Sequence, residues 1–286
     1  MDEEALKAWI GRTEETRDIV AKGTLDGLAA LLDYDNPPWP EGCAPPLAHW
    51  LYFLPRARQS QIGTDGHPKR GGGSLVPPIE LPRRMWAGSR VTFSGVLAIG
   101  AEISRRSEIA DIKRKTGKSG EMAFVTMRHE IAADGALRIV EEQDIVYREP
   151  QQATTAAPRQ TVTDEPPGEV AVSRSLTVDT VQLFRFSALT FNSHRIHYDR
   201  DYATREEGYP GLVVHGPYLA TLLMDHFLRN RPGGAVTSFQ FRARAPLFDG
   251  SPFSLNLADI NGGAALWVAD AHGRIAMTAT VTRRSS

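Results

Sequence analysis

A single cysteine, Cys43, is all the thiol chemistry this chain of 286 residues carries. No intrachain disulfide can form, and the length leaves room for one large domain or two ordinary ones held by apolar cores. Long apolar runs are missing too, so no segment reads as a bilayer-spanning helix. Charge of one sign is absent: 33 basic and 34 acidic side chains leave a net charge of −1. That balance excludes wholesale attraction to nucleic acid or to an anionic membrane. The first residues, Met1-Asp-Glu-Glu-Ala-Leu-Lys, are acidic and amphipathic and lack the plan of a secretory signal. These absences together predict a cytoplasmic protein. What remains, 41% hydrophobic and 23% charged, is the balance of a globular chain.

Apolar periodicity predicts a helical region over residues 2–33, ended by Asn36-Pro-Pro-Trp-Pro, and a second, partly buried helix over 45–54. Residues 63–78 hold too much glycine and proline for regular structure. Strands are predicted at 90–104, 107–115, 121–132 and 137–148. The proline-rich stretch 151–168 reads as a linker between a first unit, 1–150, and a second, 169–286. There a strand at 173–178 precedes Asp179, an N-cap for a helix through Leu189. Pro217 suits the first turn of a helix reaching Leu228, whose wide apolar surface fits burial inside a curved sheet. Strands at about 235–244, 252–259, 264–270 and 274–283 follow. Trp86-Ala-Gly88-Ser89 and Phe248-Asp-Gly250-Ser251, offset by 162 positions (248 − 86), suggest two copies of one α+β unit.

The most informative stretch is Thr190-Phe-Asn192-Ser-His194-Arg195-Ile-His197-Tyr-Asp199, followed by Val213-Val-His215-Gly216-Pro217. It offers imidazoles, an amide, a guanidinium and a helix start with free backbone N–H groups, the parts needed for chemistry at a carbonyl. An isolated histidine is more often a hydrogen-bonded structural group, and His215 reads equally as a brace for its loop. A metal site at His194, His197 and His215 is the rival chemistry, but no His-Glu-x-x-His pattern supports it.

These two motifs resemble the signature of the MaoC-like (R)-specific enoyl-CoA hydratases of the hot-dog superfamily. The likeness is continuous from about 173 to 286. The whole chain is similar to the double hot-dog branch, which includes type 2 hydroxyacyl-thioester dehydratases and mesaconyl-C4-CoA and itaconyl-CoA hydratases. The Gly/Pro loop at 63–78 and Pro82-Arg-Arg-Met-Trp86 share in it. The resemblance implies an α+β double hot-dog, two antiparallel sheets each wrapping a central helix. It implies a non-catalytic N-terminal copy that shapes the acyl site and a catalytic C-terminal copy. The activity implied is a hydro-lyase adding water reversibly across a 2-enoyl-CoA, with mesaconyl-C4-CoA or itaconyl-CoA giving citramalyl-CoA as the leading reaction. A 3-hydroxyacyl-thioester dehydratase of fatty acid metabolism and a non-catalytic acyl-CoA-binding protein are the alternatives. Coenzyme A would be part of the substrate; no metal or other cofactor is expected, and a homodimer or higher homo-oligomer is.

In this reading His197 is the base, the Gly216 N–H meets the thioester oxygen, and Asn192 positions water. The family's aspartate is Asn192 here, and an amide cannot be a general base. Arg195 beside it would suit a substrate with its own carboxylate. Like charges roughly 4 Å apart cost about 4 kcal/mol at an effective dielectric of about 20. His194, His215, Arg242, Arg244 and Arg84 complete the expected substrate-binding set, with Arg83, Lys69 and Arg70 as further cations for phosphate. Trp50 and Tyr52 read as core of the first unit or as walls of the acyl pocket.

Overall fold

The computed structural model describes residues 3–70, 75–117, 120–149 and 165–284. Most of the expected linker, residues 151–164, therefore lies outside the described residues, as do 71–74 of the Gly/Pro loop. The first half contributes α1 (Glu3–Lys7), β1 (Thr13–Ile19), α2 (Lys22–Leu31), β2 (Arg83–Phe93), β3 (Glu102–Gly117), β4 (Gly120–Ala133) and β5 (Ala136–Arg148). The second contributes β6 (Val172–Thr177), α3 (Thr180–Thr190), α4 (Gly216–Asn230), β7 (Ala235–Ala243), β8 (Pro252–Ile260), β9 (Gly263–Asp270) and β10 (Ile275–Arg284). The strands form one antiparallel sheet ordered β1-β3-β4-β5-β2-β7-β10-β9-β8-β6. Each half repeats the same order outward from the β2–β7 seam, as a double hot-dog requires. No helix among the described residues is long and apolar enough to cross a membrane.

Alternation builds these strands. Along β4 the buried positions recur at every second residue, so Ala123, Val125, Met127 and Ile131 share one face. Helix α4 is apolar on nearly every side, and Tyr218, Leu219, Ala220, Leu222, Leu223, Met224 and Phe227 are all buried. Such a helix must be enclosed, and it packs against β8, β9 and β10. Its one buried acid, Asp225, is neutralised by Arg229 at 2.9 Å and Arg174 at 3.3 Å. Asp179 caps α3 as expected, its Oδ1 accepting from the Gln182 N–H at 2.8 Å.

The helical reading of residues 2–33 holds for Glu3–Lys7 and Lys22–Leu31 and is corrected between them. Gly11, at φ 83, ends α1, and Thr13–Ile19 is an edge strand paired with β3. Glu14, Glu15 and Asp18 decorate this exposed edge, where charge discourages pairing with another chain. The predicted helix over 45–54 shrinks to a 3₁₀ turn at Ala48–Leu51. Pro45, Pro46 and a left-handed Leu47 (φ 71) leave no room for a regular first turn. The strand predicted over 90–104 is divided, because β2 begins at Arg83 and the chain turns between Phe93 and Glu102.

The repeat is real but sits elsewhere than the 162-residue echo. Hydrogen bonds align the halves. The Ala44 N–H donates to Leu97 O and the Val214 N–H to Leu247 O, each at 2.8 Å. Cys43 bridges Ala98 as Val213 bridges Phe248. The turn glycines are Gly100 (φ 85) and Gly250 (φ 72). In this alignment Pro45-Pro46 of the first half stands where His215-Gly216 stands in the second.

The seam depends on a missing side chain. Gly88 faces Arg242 across β2–β7, and a Cβ there would lie 2.4 Å from Phe241 O. Backbone cannot yield as a flexible side chain can. Gly88→Ala should cost about 2 kcal/mol or more of stability, read as a lower midpoint in urea denaturation. A midpoint unchanged from wild type would show that the seam tolerates a methyl group.

Candidate active site

The site begins where α3 stops. Phe191 takes the left-handed conformation (φ 47), turning the chain outward, and the Asn192 N–H closes the helix end on Ser187 O at 2.9 Å. Asn192 Oδ1 accepts from the His194 N–H at 3.0 Å, which fixes the amide. A short 3₁₀ turn, Arg195–His197, follows. The Gly/Pro loop of the first half clamps this segment from outside. Asp65 O accepts from the Arg195 N–H at 2.9 Å, and Gly66 O accepts from Ser193 Oγ at 2.6 Å. The approach is so close that a Cβ on Gly66 would fall 1.8 Å from Ser193 O.

His197 is buried and donates from Nδ1 to Val213 O at 2.7 Å. A carbonyl only accepts, so Nδ1 carries the proton and Nε2 keeps its lone pair. Burial lowers its pKa to about 4, with the Val213 carbonyl opposing and the His67 charge reinforcing. It is therefore neutral at physiological pH. His215 stacks on its inner face, ring centroids 3.6 Å apart, and bonds through Nε2 to Ser187 Oγ at 2.9 Å. Gly216 opens α4, and the N–H groups of a first turn have no intrahelical acceptor.

His197, Asn192, His194 and Gly216 line one cavity of about 430 Å³. Arg84 and Arg244 line it as well, joined by Arg83 and Arg148. Several of the residues expected from the sequence thus share one cavity, and His215, Arg195, Arg242, Lys69 and Arg70 do not. His215 is fully buried behind His197 and does not reach the cavity wall; the stack leaves it a brace. Arg195 points away. Its Nε and Nη2 hold Asp199 Oδ2 at 3.0 and 2.7 Å, Nη1 donates to Thr64 O, and the guanidinium covers the Tyr202 ring at 4.2 Å. Arg242 stays outside the cavity, because it lies within β7 on an exposed face at the seam, whereas Arg244 follows the strand end. Lys69 and Arg70 are likewise spent on backbone carbonyls, Lys69 on Ser60 O and Arg70 on Leu81 O and Pro82 O.

The largest omission from the sequence reading is Asp65 and His67. His67 lines the same cavity, its ring 4.0 Å from that of His194, which in turn lies 5.4 Å from His197. Asp65 Oδ1 accepts the His67 N–H at 2.9 Å, and Oδ2 lies 3.1 Å from His67 Nδ1. The only signal was an Asp-x-His spacing inside a loop that composition marks as irregular. Asp65, His67 and His194 offer three donor atoms within 4.8 Å of one another, a spacing a cation could bridge. The rival set of His194, His197 and His215 is not such a group among the described residues. Both Asp65 oxygens already face His67.

A second cavity of about 180 Å³ lies in the first half and shares Trp86 and Gln143 with the larger one. Trp50 and Tyr52 line it, and it is polar. Glu141 is buried there, accepting from Ser89 Oγ at 2.8 Å and lying 2.9 Å from His49 Nε2. Trp50 donates to Glu141 at 3.1 Å, so it is both core and wall.

Residues 47–249 match the model of the family described as hydroxyacyl-thioester dehydratase type 2. A protein of Chloroflexus aurantiacus called mesaconyl-C(4)-CoA hydratase is 49% identical over 96% of either chain. Among solved structures, a MaoC-like dehydratase from Phytophthora capsici superposes with a TM-score of 0.74 at 10% identity, covering 100% of this chain and 99% of that one. A Mycobacterium tuberculosis protein described as having a double hotdog fold gives 0.59 at 14% identity, with 96% of both chains covered. The chain belongs to the hydroxyacyl-thioester dehydratase type 2 family.

The neutral imidazoles set the pH dependence. Protonating His197 removes the Nε2 lone pair, and that requires a pH near its lowered value of about 4. kcat/KM should stay level from about pH 8 to about pH 5.5, where an ordinary histidine would already cut it severalfold. Stability runs the same way. Burial likewise lowers His129 to about 4 and His194 to about 2. Unfolded histidines take up protons near pH 6.5 that the folded ones refuse, so stability is lost as pH falls below that point. Thermal melts between about pH 7 and pH 5 should show Tm dropping while initial rates at low temperature hold. An acid limb centred on pH 6.5 would contradict the assignment.

Proposed function

We propose that this chain adds water reversibly across a 2-enoyl-CoA thioester, with mesaconyl-C4-CoA as substrate and citramalyl-CoA as product. The observation that carries the reading is the meeting of His197 Nε2, the Asn192 amide and the start of α4 at Gly216 on one cavity. The 49% identity to the Chloroflexus hydratase supports the choice of acyl group. Hydration requires negative charge to build on the thioester oxygen while water attacks C3. The Gly216 N–H, at the positive end of α4, meets that oxygen. His197 accepts an O–H of the water at Nε2, and Asn192 holds the water over C3.

The shape of the cavity favours a short, polar acyl group over a long chain. Its inner wall includes Trp86, packed edge-on against Trp50 at 5.0 Å. Behind that wall lies the Glu141–His49 cluster rather than an apolar tunnel. Four arginines line the cavity, and Arg84 stands closest in effect to the imidazoles, its charge acting on both His67 and His194. We assign the free carboxylate of the substrate to Arg84, and the coenzyme A phosphates to the remaining cations, Arg244 among them. The N-terminal copy has no oxyanion site of its own. Pro46 has no N–H to offer where Gly216 has one, and no histidine segment precedes it.

The test is turnover on mesaconyl-C4-CoA, itaconyl-CoA, crotonyl-CoA and a long-chain enoyl-CoA, followed by loss of enoyl absorbance. Wild type should prefer the carboxylated substrates, and His197→Ala should lose about 10²-fold or more in kcat. Preference for the long chain would revive the fatty-acid alternative, and binding without turnover would leave an acyl-CoA-binding protein. Arg84→Gln should raise KM for mesaconyl-C4-CoA about tenfold while leaving that for crotonyl-CoA within about threefold. Equal effects on both would place Arg84 on the coenzyme rather than on the carboxylate.

A further inference from the structure

The hydration just described leaves one proton without an obvious carrier. One water supplies both the hydroxyl that bonds to C3 and the hydrogen that ends on C2. Between those events its proton rests on the protein. His197 is a poor place for it. Its Nδ1–H faces only the Val213 carbonyl, its inner face is stacked on His215, and no carboxylate touches it. His194 makes no side-chain contact with a carboxylate oxygen among the described residues. Asn192 cannot carry a proton at all.

We propose that the Asp65–His67 pair, delivered to the catalytic pocket by the N-terminal half, is the proton carrier of the reaction and stands in for the carboxylate absent at position 192. The proposal rests on the hydratase reading above. Its geometry is already built. Of the imidazoles lining the cavity, His67 alone among the described residues has a carboxylate in hydrogen-bond contact, Asp65 Oδ2 at 3.1 Å from Nδ1. With Nδ1–H directed at Asp65, Nε2 keeps the lone pair. The loop cannot drift, because Asp65 O and Gly66 O each hold the catalytic segment by a hydrogen bond.

The step balances as follows. An O–H bond of the water breaks, and its proton moves to His67 Nε2. The water oxygen bonds to C3, and the C2=C3 electron pair moves toward the carbonyl, leaving an enolate whose oxygen meets the Gly216 N–H. The imidazolium, beside ionised Asp65, is a neutral pair overall. The enolate then takes that proton at C2 and His67 returns to its resting form. Dehydration runs the same path backwards.

The electrostatics agree. Burial works to raise the Asp65 pKa, yet the two hydrogen bonds from His67 and the nearby histidine charges hold it well below the usual carboxylate range. Burial lowers that of His67, and the Asp65 hydrogen bond opposes the shift. Arg84 and Arg70 act against a positive His67, which keeps it neutral at rest and ready to accept.

Two variants test this. Glutamine at 67 can still hydrogen-bond Asp65, so His67→Gln should preserve the loop while abolishing proton transfer. Asp65→Asn keeps an oxygen for the His67 N–H and removes the charge. With the thioester that wild type turns over fastest, His67→Gln should lower kcat about 10²-fold and Asp65→Asn about tenfold, with KM within about threefold and Tm unchanged. A His67→Gln enzyme with kcat within threefold of wild type would overturn the proposal while leaving the hydratase reading intact. If a variant melts early, its kcat measured well below its Tm decides the matter by the same criterion. A wild type inert toward every thioester would remove the hydratase reading and the carrier with it. Dialysis against EDTA should leave kcat unchanged. A loss restored by Zn²⁺ would hand Asp65, His67 and His194 to a cation and end the proton-carrier role.

Discussion

The hydrogen bond from His197 Nδ1 to Val213 O organises everything around it. It fixes the tautomer, and so it decides which nitrogen faces the cavity. It also ties the turn at Arg195–His197 to the strand-like stretch that leads into α4. The same stretch anchors through the Val214 N–H to Leu247 O, and through the Val213 N–H back to Ile196 O. The imidazole and the first N–H groups of α4 are therefore held by one short piece of backbone. Neither can move without the other, which is what a site needs if an oxyanion donor and a water-holding base are to act on adjacent atoms. His215 completes the arrangement. With no reach to the cavity, it fills the space behind His197 and keeps that ring from rotating inward.

The two halves share a backbone plan but not a chemistry, and the difference comes down to a few residues. Ala44 and Val214 make matching hydrogen bonds, so the following positions are equivalent. In the second half they are His215 and Gly216, and a helix enclosed by the sheet grows from them. In the first they are prolines. Two prolines and a left-handed Leu47 stop that helix after a single 3₁₀ turn. Trp50, His49 and Glu141 occupy the interior instead. A buried carboxylate would be costly alone. Here Ser89, Trp50 and His49 surround it; burial works to raise its pKa, but the His49 hydrogen bond, the His49 and His129 charges and the Ser89 hydrogen bond hold it down to about 2. This polar cluster lines the smaller cavity, which meets the larger one at Trp86 and Gln143.

Much of this was legible in the residues, and the failures share a cause. Asp179, Pro217 and the apolar sides of α4 speak through local rules, capping and periodicity, and the structure places them as expected. His197 and Asn192 were readable because they share one contiguous motif, and Gly216 because it stands at a Gly-Pro helix start in a second. Arg195 was misassigned because nothing in a sequence says where a guanidinium points once Asp199 lies one helical turn away. β1 was taken for helix because Leu6, Trp9, Ile10, Ile19 and Val20 recur at helix-like spacing across it, although a strand lies between. Asp65 and His67 were passed over for the opposite reason. They lie far from the catalytic segment in sequence, in a loop with no periodicity, and only the clamp through Gly66 and Ser193 brings them to it. Long-range contacts of that kind leave no local trace.

The asparagine at position 192 then acquires a physical reason. A substrate with a free carboxylate near C3 would be repelled by an aspartate in the cavity wall, by about 4 kcal/mol at roughly 4 Å and an effective dielectric of about 20. Removing the charge altogether would leave no partner for a transient imidazolium in a pocket where burial already opposes it. Placing the carboxylate at Asp65 meets the second demand, because it is paired with His67 Nδ1 at 3.1 Å. It lines the same cavity as His67, and its contact with Nδ1 keeps it close to the proton it must balance. Arg84 on the same cavity adds a positive charge on the substrate side. The negative charge is thus moved from position 192 to a carboxylate paired with His67 without leaving the site, and the cost is a dependence on the N-terminal half for a part of the chemistry that the histidine segment would otherwise supply.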